Sequence, residues 1–584
     1  MSDKIFSLSK KIGVFLSSMA MVLTVALVSV TFGGSGNKAN AASSTYNGDL
    51  FLGVFQNGDN DESDYLYTST DGVNFEQIAT AYKDKHPNVK DQNVYSTKGG
   101  THMTQTSPSI MYYNGYFWMI SSWLWSPDRS KFWPMIAVSK DCKTWSWPEG
   151  QLFNGSSKSY GGISLDQKPS IPNYLGTSSS NFDTVAPEWF LDSNGTPYIV
   201  FSAGRYGEFH GKAEDDQMQP YYVKVNKLSV TGSVHGSSFT QVNFKASKAY
   251  KITSVGTEDR IDGSIYKEGK YYYLVIKRHG LYNEIWRNTS MAKSGWKRVD
   301  NNITTGFEAP VIQKMNGTYY LYSDRISTYM HGVEPGTNGT FVFSSNKING
   351  KYTNLGRIQA RNKSGKLFNP RQGSVMKVTD PTARARVLAL RAKAGYPSIV
   401  FPDVAGWDGA NADIAWLSKS GVTTGIPTKY GAIYNPKGTV SRLAMVLFLY
   451  RLAGQPTVSS TDMAALKKLK DVSKLGKDDQ TAIAWALSKG ITNGNKGKFL
   501  GSNTCSRVAM ALFMYRMAGQ PKYSSSHHFS DIKGFSSDYK KAIEWMYKTG
   551  VTTGIDAKHK LYAPSNPCSR AQMASFLHRY SKIK

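Results

Sequence analysis

The chain has 584 residues, 40% apolar and 19% charged, which is too long for one core and too apolar for wholesale disorder, so two or more domains are expected. Its formal charge of +28 raises nucleic-acid binding as a reading. The N-terminus argues instead for export, where a basic protein meets anionic cell-wall polymers. Aromatic residues reach 13%, with 35 tyrosines and 13 tryptophans, a composition suited to short strands and to stacking on sugar rings.

Lys4, Lys10 and Lys11 precede an apolar run from Ile12 to about Phe32, and Ala39-Asn40-Ala41 then offers a small-x-small cleavage site. That order predicts a secretory signal peptide over residues 1–41. The alternative is an uncleaved anchor, since the run is almost long enough to span a bilayer. No later segment is that long and apolar, so no transmembrane segment is expected after cleavage.

From 47 to 391 one theme recurs: a loop, an alternating strand, a Gly turn and an aromatic strand. The copies are SPSIMYYNGYFWMISSW (107–123), APEWFLDSNGTPYIVFS (186–202), IDGSIYKEGKYYYLVIK (261–277) and FEAPVIQKMNGTYYLYS (307–323). Alternation across an Asn-Gly turn is a strong hairpin signal. Outer hairpins are expected at 65–75 and 136–145, and a weaker fifth unit at 371–391, with no helix of useful length. Repeated units of this size predict an all-β, five-bladed β-propeller, with a β-sandwich as the rival.

Residues 396–584 change to helix-loop-helix units at about 400–456, 469–521 and 529–584. Equivalent positions carry Asp403, Asp471 and Asp531, then Arg442, Arg507 and Arg570, and each second helix opens after a capping Ser. Trp416, Trp485 and Trp545 are expected mainly in the helix cores. The arginines are candidate wall-binding groups, because a cation at a helix N-terminus opposes the helix dipole unless an anion is near; the aspartates are that anion's alternative source. Cys505 and Cys568 are repeat equivalents, and no disulfide is expected between them. These units resemble S-layer homology domains, the wall-anchoring modules of Gram-positive surface proteins. The resemblance rests on F-x-D-V, a Trp helix, G-V-T-x-G and a Ser-Arg helix opening. It implies non-covalent binding to an anionic wall polymer, in keeping with 26 Lys+Arg against 11 Asp+Glu over 401–584.

A propeller gathers the starts of its innermost strands around a central funnel. Those starts carry Glu188, Asp262 and Glu308 at what reads as one position of three successive units. Paired carboxylates suit glycosidic bond cleavage, one donating a proton to the leaving oxygen while the other activates water or attacks carbon. The region is similar to glycoside hydrolase family 43, whose members cleave arabinose- and xylose-containing glycans. The resemblance implies a general acid at Glu308 of Glu308-Ala309-Pro310, tuned by Asp262 where the third blade begins. It also implies that Ala186 to Glu188 form the second-blade motif, and that PRQGSVMKV (370–378) is the last-blade motif with Gln372 in place of its His. The family's base, the Asp of an Asp-Pro-Ser/Phe-Ile motif, is replaced by Ser107. His102, Asp183 or Glu188 are the substitutes, unless the propeller uses other chemistry or binds sugar without cleaving it. Trp189, His279, Arg325 and Arg371 are candidate sugar contacts. No cofactor is expected, and a structural ion in the funnel is left open.

Overall fold

The computed structural model describes residues 46, 48–57, 61–82, 104–124, 132–145, 151–153, 159–163, 183–204, 218–231, 241–278, 282–325, 338–406, 408–429, 431–522 and 528–583. The N-terminal stretch read as a signal peptide lies outside them. Among the described residues no helix is long and apolar enough to cross a membrane.

Residues 48–377 form five blades around an axis, antiparallel except for the short strand Gln359–Arg361, which joins Asn74–Tyr82 in parallel. Blade I holds Thr104–Tyr113, Tyr116–Leu124 and Phe132–Ser139. Blade II holds Asp183–Leu191, Pro197–Gly204, Gln219–Thr231 and Gln241–Ala246. Blade III holds Arg260–Glu268, Tyr271–Arg278, Tyr282–Asn288 and Lys297–Thr305. Blade IV holds Glu308–Met315, Thr318–Arg325, Gly339–Ser345 and Thr353–Arg357. The first strand of each is innermost. At Asn194-Gly195 only the glycine has positive φ, at 81°; the other two predicted Asn-Gly turns put both residues there, Asn114 and Gly115 at 49° and 83°, Asn316 and Gly317 at 49° and 82°. This is the twist that joins adjacent antiparallel strands.

Blade V departs from the sequence reading. Its innermost strand is Pro370–Lys377, but the next three come from the other end of the propeller: Phe51–Asn57, Asp61–Ser69 and Asn74–Tyr82. Phe51 pairs with Lys377 and Val54 with Ser374, which closes the ring. The rest of the expected fifth unit is a helix, Pro381–Lys393. Asp380 caps it, accepting from Thr382 N and Ala383 N, and Pro381 occupies the first turn, where a missing N–H costs nothing.

A separate apolar cluster fills each of the five gaps between blades. Trp118 meets Phe201 between I and II, Val200 meets Leu274 between II and III, and Val275 meets Leu321 between III and IV. Tyr322 meets Phe51 and Phe75 between IV and V. Leu52 and Met119 meet between V and I, together with Val387 and Leu388 of the helix. Polar latches add to these joints: Lys267 of blade III bonds Asp192 of blade II at 2.5 Å, and Lys314 of blade IV bonds Glu268 of blade III at 2.6 Å.

The three C-terminal units share one continuous core. Their first helices are Asn411–Lys419, Lys477–Ser488 and Ser537–Lys548; their second are Arg442–Leu452, Arg507–Met517 and Arg570–Ser581. Ser441, Ser506 and Ser569 cap the second helices through their side chains, as predicted. Just before these caps, the backbone closes a three-membered ring. Cys505 N donates to Val440 O (2.7 Å), Cys568 N to Cys505 O (3.0 Å) and Val440 N to Cys568 O (2.9 Å). The two cysteines are thus neighbours, against the expectation that repeat equivalents lie apart; both remain free thiols. Trp485 and Trp545 are buried, whereas Trp416 is half-buried and stacks on His578 with centroids 4.6 Å apart.

Candidate functional site

Every innermost strand begins with the same backbone irregularity. Ser107, Ala186, Asp262, Ala309 and Gln372 have φ of 53°, 48°, 61°, 48° and 36°. At each one the strand slips register against its neighbour. These are β-bulges, and a left-handed conformation is unfavourable for such residues unless the surrounding structure imposes it. Pro108, Pro187, Gly263, Pro310 and Gly373 follow the bulge residues. Residues from all five bulges line an axial cavity of about 30 Å³, room for about one water.

The bulges also correct the alignment of the three acids. Asp262 is itself a bulge residue, equivalent to Ser107. Glu308 stands one position before its bulge residue, and Glu188 two positions after. They share one axis but not one level.

Glu308, 8% exposed, accepts from Lys277 Nζ at 2.9 Å and from Gln372 Nε2 at 3.3 Å. Asp262 Oδ2 accepts from the amide of Ala309, the residue after Glu308, at 3.1 Å. Asp324 pairs in register with Glu308 across the blade IV hairpin and is 1% exposed. Its Oδ2 accepts from Arg371 Nε at 3.4 Å. The site is therefore three carboxylates with two cations, and Gln372 also meets Thr106 of blade I through its side-chain oxygen.

Their proton affinities diverge. Burial would raise Glu308, but the charge and hydrogen bond of Lys277, helped by Arg371 and Gln372, hold it below the ordinary carboxylate range. Burial pushes Asp262 up to about 6, with Lys277 opposing and Glu308 reinforcing. Burial likewise pushes Asp324 up to about 7, with Arg371 opposing and Glu308 reinforcing. Glu308 is thus the most acidic of the three, the reverse of a resting general acid, and its neighbours take up protons closer to neutrality.

Glu188 lines the same axial cavity as Asp262 but bonds Ser374 of blade V. Burial pushes it up to about 8, with Ser374 and Ser109 opposing, so it is neutral at pH 7 and no base there. Trp189 is 6% exposed and packs between blades I and II, at the far end of the axis from the bulges. Arg371 joins the acid cluster, and the Arg325 guanidinium lies 5.9 Å from the Phe307 ring centroid. His102 and His279 fall outside the described residues, and Asp183 opens the innermost strand of blade II. Sequence reading missed Lys277 and Asp324. Both end the second strand of a blade, in IKR and SDR, a polar finish to an aromatic run that signals a strand reaching the site. Among the described residues no three His, Cys, Asp or Glu gather to hold a metal ion.

The wall-binding candidates are engaged within the helical region. Arg442 Nε donates to Phe499 O (3.1 Å), Arg507 Nε to Tyr562 O (2.8 Å) and Arg570 Nε to Tyr434 O (2.5 Å), each a carbonyl of the next repeat in cyclic order. Arg507 and Arg570 are 2% and 8% exposed. Each arginine spends its Nε on a backbone carbonyl between repeats, and the Nη2 of Arg507 has no partner among the described residues. Asp403, Asp471 and Asp531 each accept from two successive amides, those of Tyr434 and Asn435, Phe499 and Leu500, Tyr562 and Ala563. They pin the loop of their own repeat.

The fold and site define a five-bladed propeller with an acidic axial site, continued by a cyclic three-repeat helical region. Residues 400–446 and 528–574 match the S-layer homology domain, and 469–521 repeats the same elements. Solved structures similar to the chain include an inulosucrase from Halalkalicoccus jeotgali bound to kestose, at 15% identity and TM-score 0.31, covering 47% of this chain and 71% of that one. An α-L-arabinofuranosidase from Podospora anserina follows at 14% and 0.26, covering 43% and 67%. An exo-1,5-α-L-arabinanase from a bovine ruminal metagenomic library aligns at 15% and 0.27, covering 49% and 83%. Such TM-scores carry no argument about activity. No curated protein matches the chain.

Proposed function

We propose that this is an exported surface protein whose propeller hydrolyses an arabinose- or xylose-containing glycan, held to an anionic wall polymer by its S-layer homology repeats. The observation that carries this reading is the divergence of proton affinity among Glu308, Asp262 and Asp324 within one site. Glycoside hydrolysis needs one carboxyl that donates and one carboxylate that accepts or attacks, and environments that push neighbouring acids apart supply both. Glu308 is the donor in the family 43 reading, with Asp262 tuning it. A glycosidic oxygen that separates Lys277 from Glu308 weakens the pairing that keeps Glu308 charged. Glu308 then takes up the proton the leaving oxygen needs, next to two acids that hold protons near neutrality. Ser107 has no carboxylate to activate water, so the base has to come from another funnel group.

That serine favours a second reading, glycan binding without turnover. Both are tested with aryl-arabinofuranosides, aryl-xylosides and the matching oligosaccharides, on the wild type and Glu308→Gln. Turnover abolished by the substitution supports hydrolysis, and turnover unchanged by it removes Glu308 from the mechanism. Saturable binding with no turnover in either protein establishes the second reading. Removal of residues 396–584 should release the protein from isolated cell walls; continued attachment refutes the anchoring role. Export after cleavage predicts a mature N-terminus near Ala42, read by terminal sequencing.

A further inference from the structure

The innermost strands run from the bulges to a second opening at the opposite face of the propeller. There they surround, with the start of the helix Pro381–Lys393, a cavity of about 1010 Å³. All five blades contribute, through Tyr112 and Tyr113, Trp189 and Phe190, Tyr266, Gln313 and Lys377. Its volume matches the upper end of small-molecule pockets.

Its charges are already engaged. Lys267 pairs with Asp192 at 2.5 Å and Lys377 with Asp49 at 2.7 Å. Asp380 is spent capping the helix, and Arg386 donates to Gly115 O at 2.6 Å beside the Tyr112 ring. What remains for a ligand is the half-buried rings of Tyr113 and Tyr266 and neutral polar groups, among them Asn114, Ser193 and Thr379. Trp189 borders the cavity but is 6% exposed and belongs to the packing between blades I and II.

We infer that this far mouth is a second binding site, for a neutral oligosaccharide. Ring faces and hydroxyls match aromatic walls and uncharged donors and acceptors. An anionic polymer would call for cations not already paired. The site is distinct from the funnel acids: none of Glu308, Asp262 and Asp324 lines it, and beside Asp262 and Glu188 the axis narrows to the small cavity. It stands whether or not the funnel cleaves anything.

The test is calorimetric titration of the full chain, carrying Glu308→Gln so that no probe is consumed, with xylotetraose and with α-1,5-arabinotetraose. A class of site is expected whose affinity falls roughly tenfold on Tyr113→Ala, the loss of one stacking face. The same class should weaken several-fold on Tyr266→Ala, which removes the half-buried ring that blade III contributes, and should be indifferent to Lys277→Ala in the funnel. Tyr266→Ala decides the matter if Tyr113→Ala folds poorly. Absence of binding with both probes overturns the inference, and so does binding that Lys277→Ala abolishes and the far-mouth variants leave unchanged.

Discussion

The propeller and the helical region both close a ring of repeats, and they treat equivalent positions in opposite ways. In the helical ring the repeated positions keep their residues: Asp403, Asp471 and Asp531 hold loops, while Arg442, Arg507 and Arg570 hold the carbonyls of the next repeat. In the propeller the backbone repeats but the side chains do not. The five bulges present Ser107, Ala186, Asp262, Ala309 and Gln372 on nearly one conformation. A residue preserved under pseudosymmetry is doing the same structural job in each unit. One that changes while its backbone stays fixed is free to serve a single site. The helical ring has such exceptions too: His578 replaces Tyr450 and Tyr515 and bonds Asp413, itself an alanine in the other repeats, at 2.6 Å.

The sharpest test of this contrast is at the funnel. If a glycoside is cleaved, Glu308→Gln should lower its turnover by about 10²–10⁴, and Ser107→Asp, which puts a carboxylate at the bulge equivalent to Asp262, should raise it; steady-state kinetics measures both. Next comes the junction between the two regions. Glu76 and Arg391 are 6% and 3% exposed and ion-paired, and Glu76 also accepts from Gly406 N. Arg391→Leu strands a buried carboxylate and should cost about 3–5 kcal/mol in denaturant unfolding. Within the helical ring, Arg507→Ala and Arg570→Ala should cost about 1.5–3 kcal/mol each, and half-buried Arg442→Ala less. Equal and negligible losses would return these arginines to the surface. A further effect concerns pH. Glu188 is raised by burial to about 8, so the native state holds a proton that the unfolded chain releases near pH 4.5, and stability falls as pH rises between those values. Glu188→Gln should therefore leave the melting temperature unchanged near pH 5 and raise it near pH 8.5.

The four hairpins were legible because an Asn-Gly turn and strand alternation are local facts. Blade V was not, since the pairing of Phe51 with Lys377 leaves no mark near either residue. The helix after it was written in Asp380-Pro381, a cap followed by a first-turn proline, but strand periodicity was extended across it. At the site, Glu308 and Asp262 could be found from strand starts. Their proton affinities could not, because Lys277, Asp324 and Arg371 arrive from other strands and act only through register and burial. The arginines of the helical ring looked open for the same reason: the carbonyls that occupy them belong to the next repeat.

The clamp at Glu76 also fixes the path along which tension travels. Pulled from the C-terminal repeats, the chain comes taut at Gly406, Pro402 and Arg391, which bond Glu76 and Thr70 of blade V's outer edge. The load enters the blade there, before it reaches Pro370–Lys377, whose pairing with Phe51–Asn57 is the seam of the ring. A strand that both closes the ring and leads to the helical repeats would otherwise be the first to peel. The clamp bears the pull in its place, and the seam is spared.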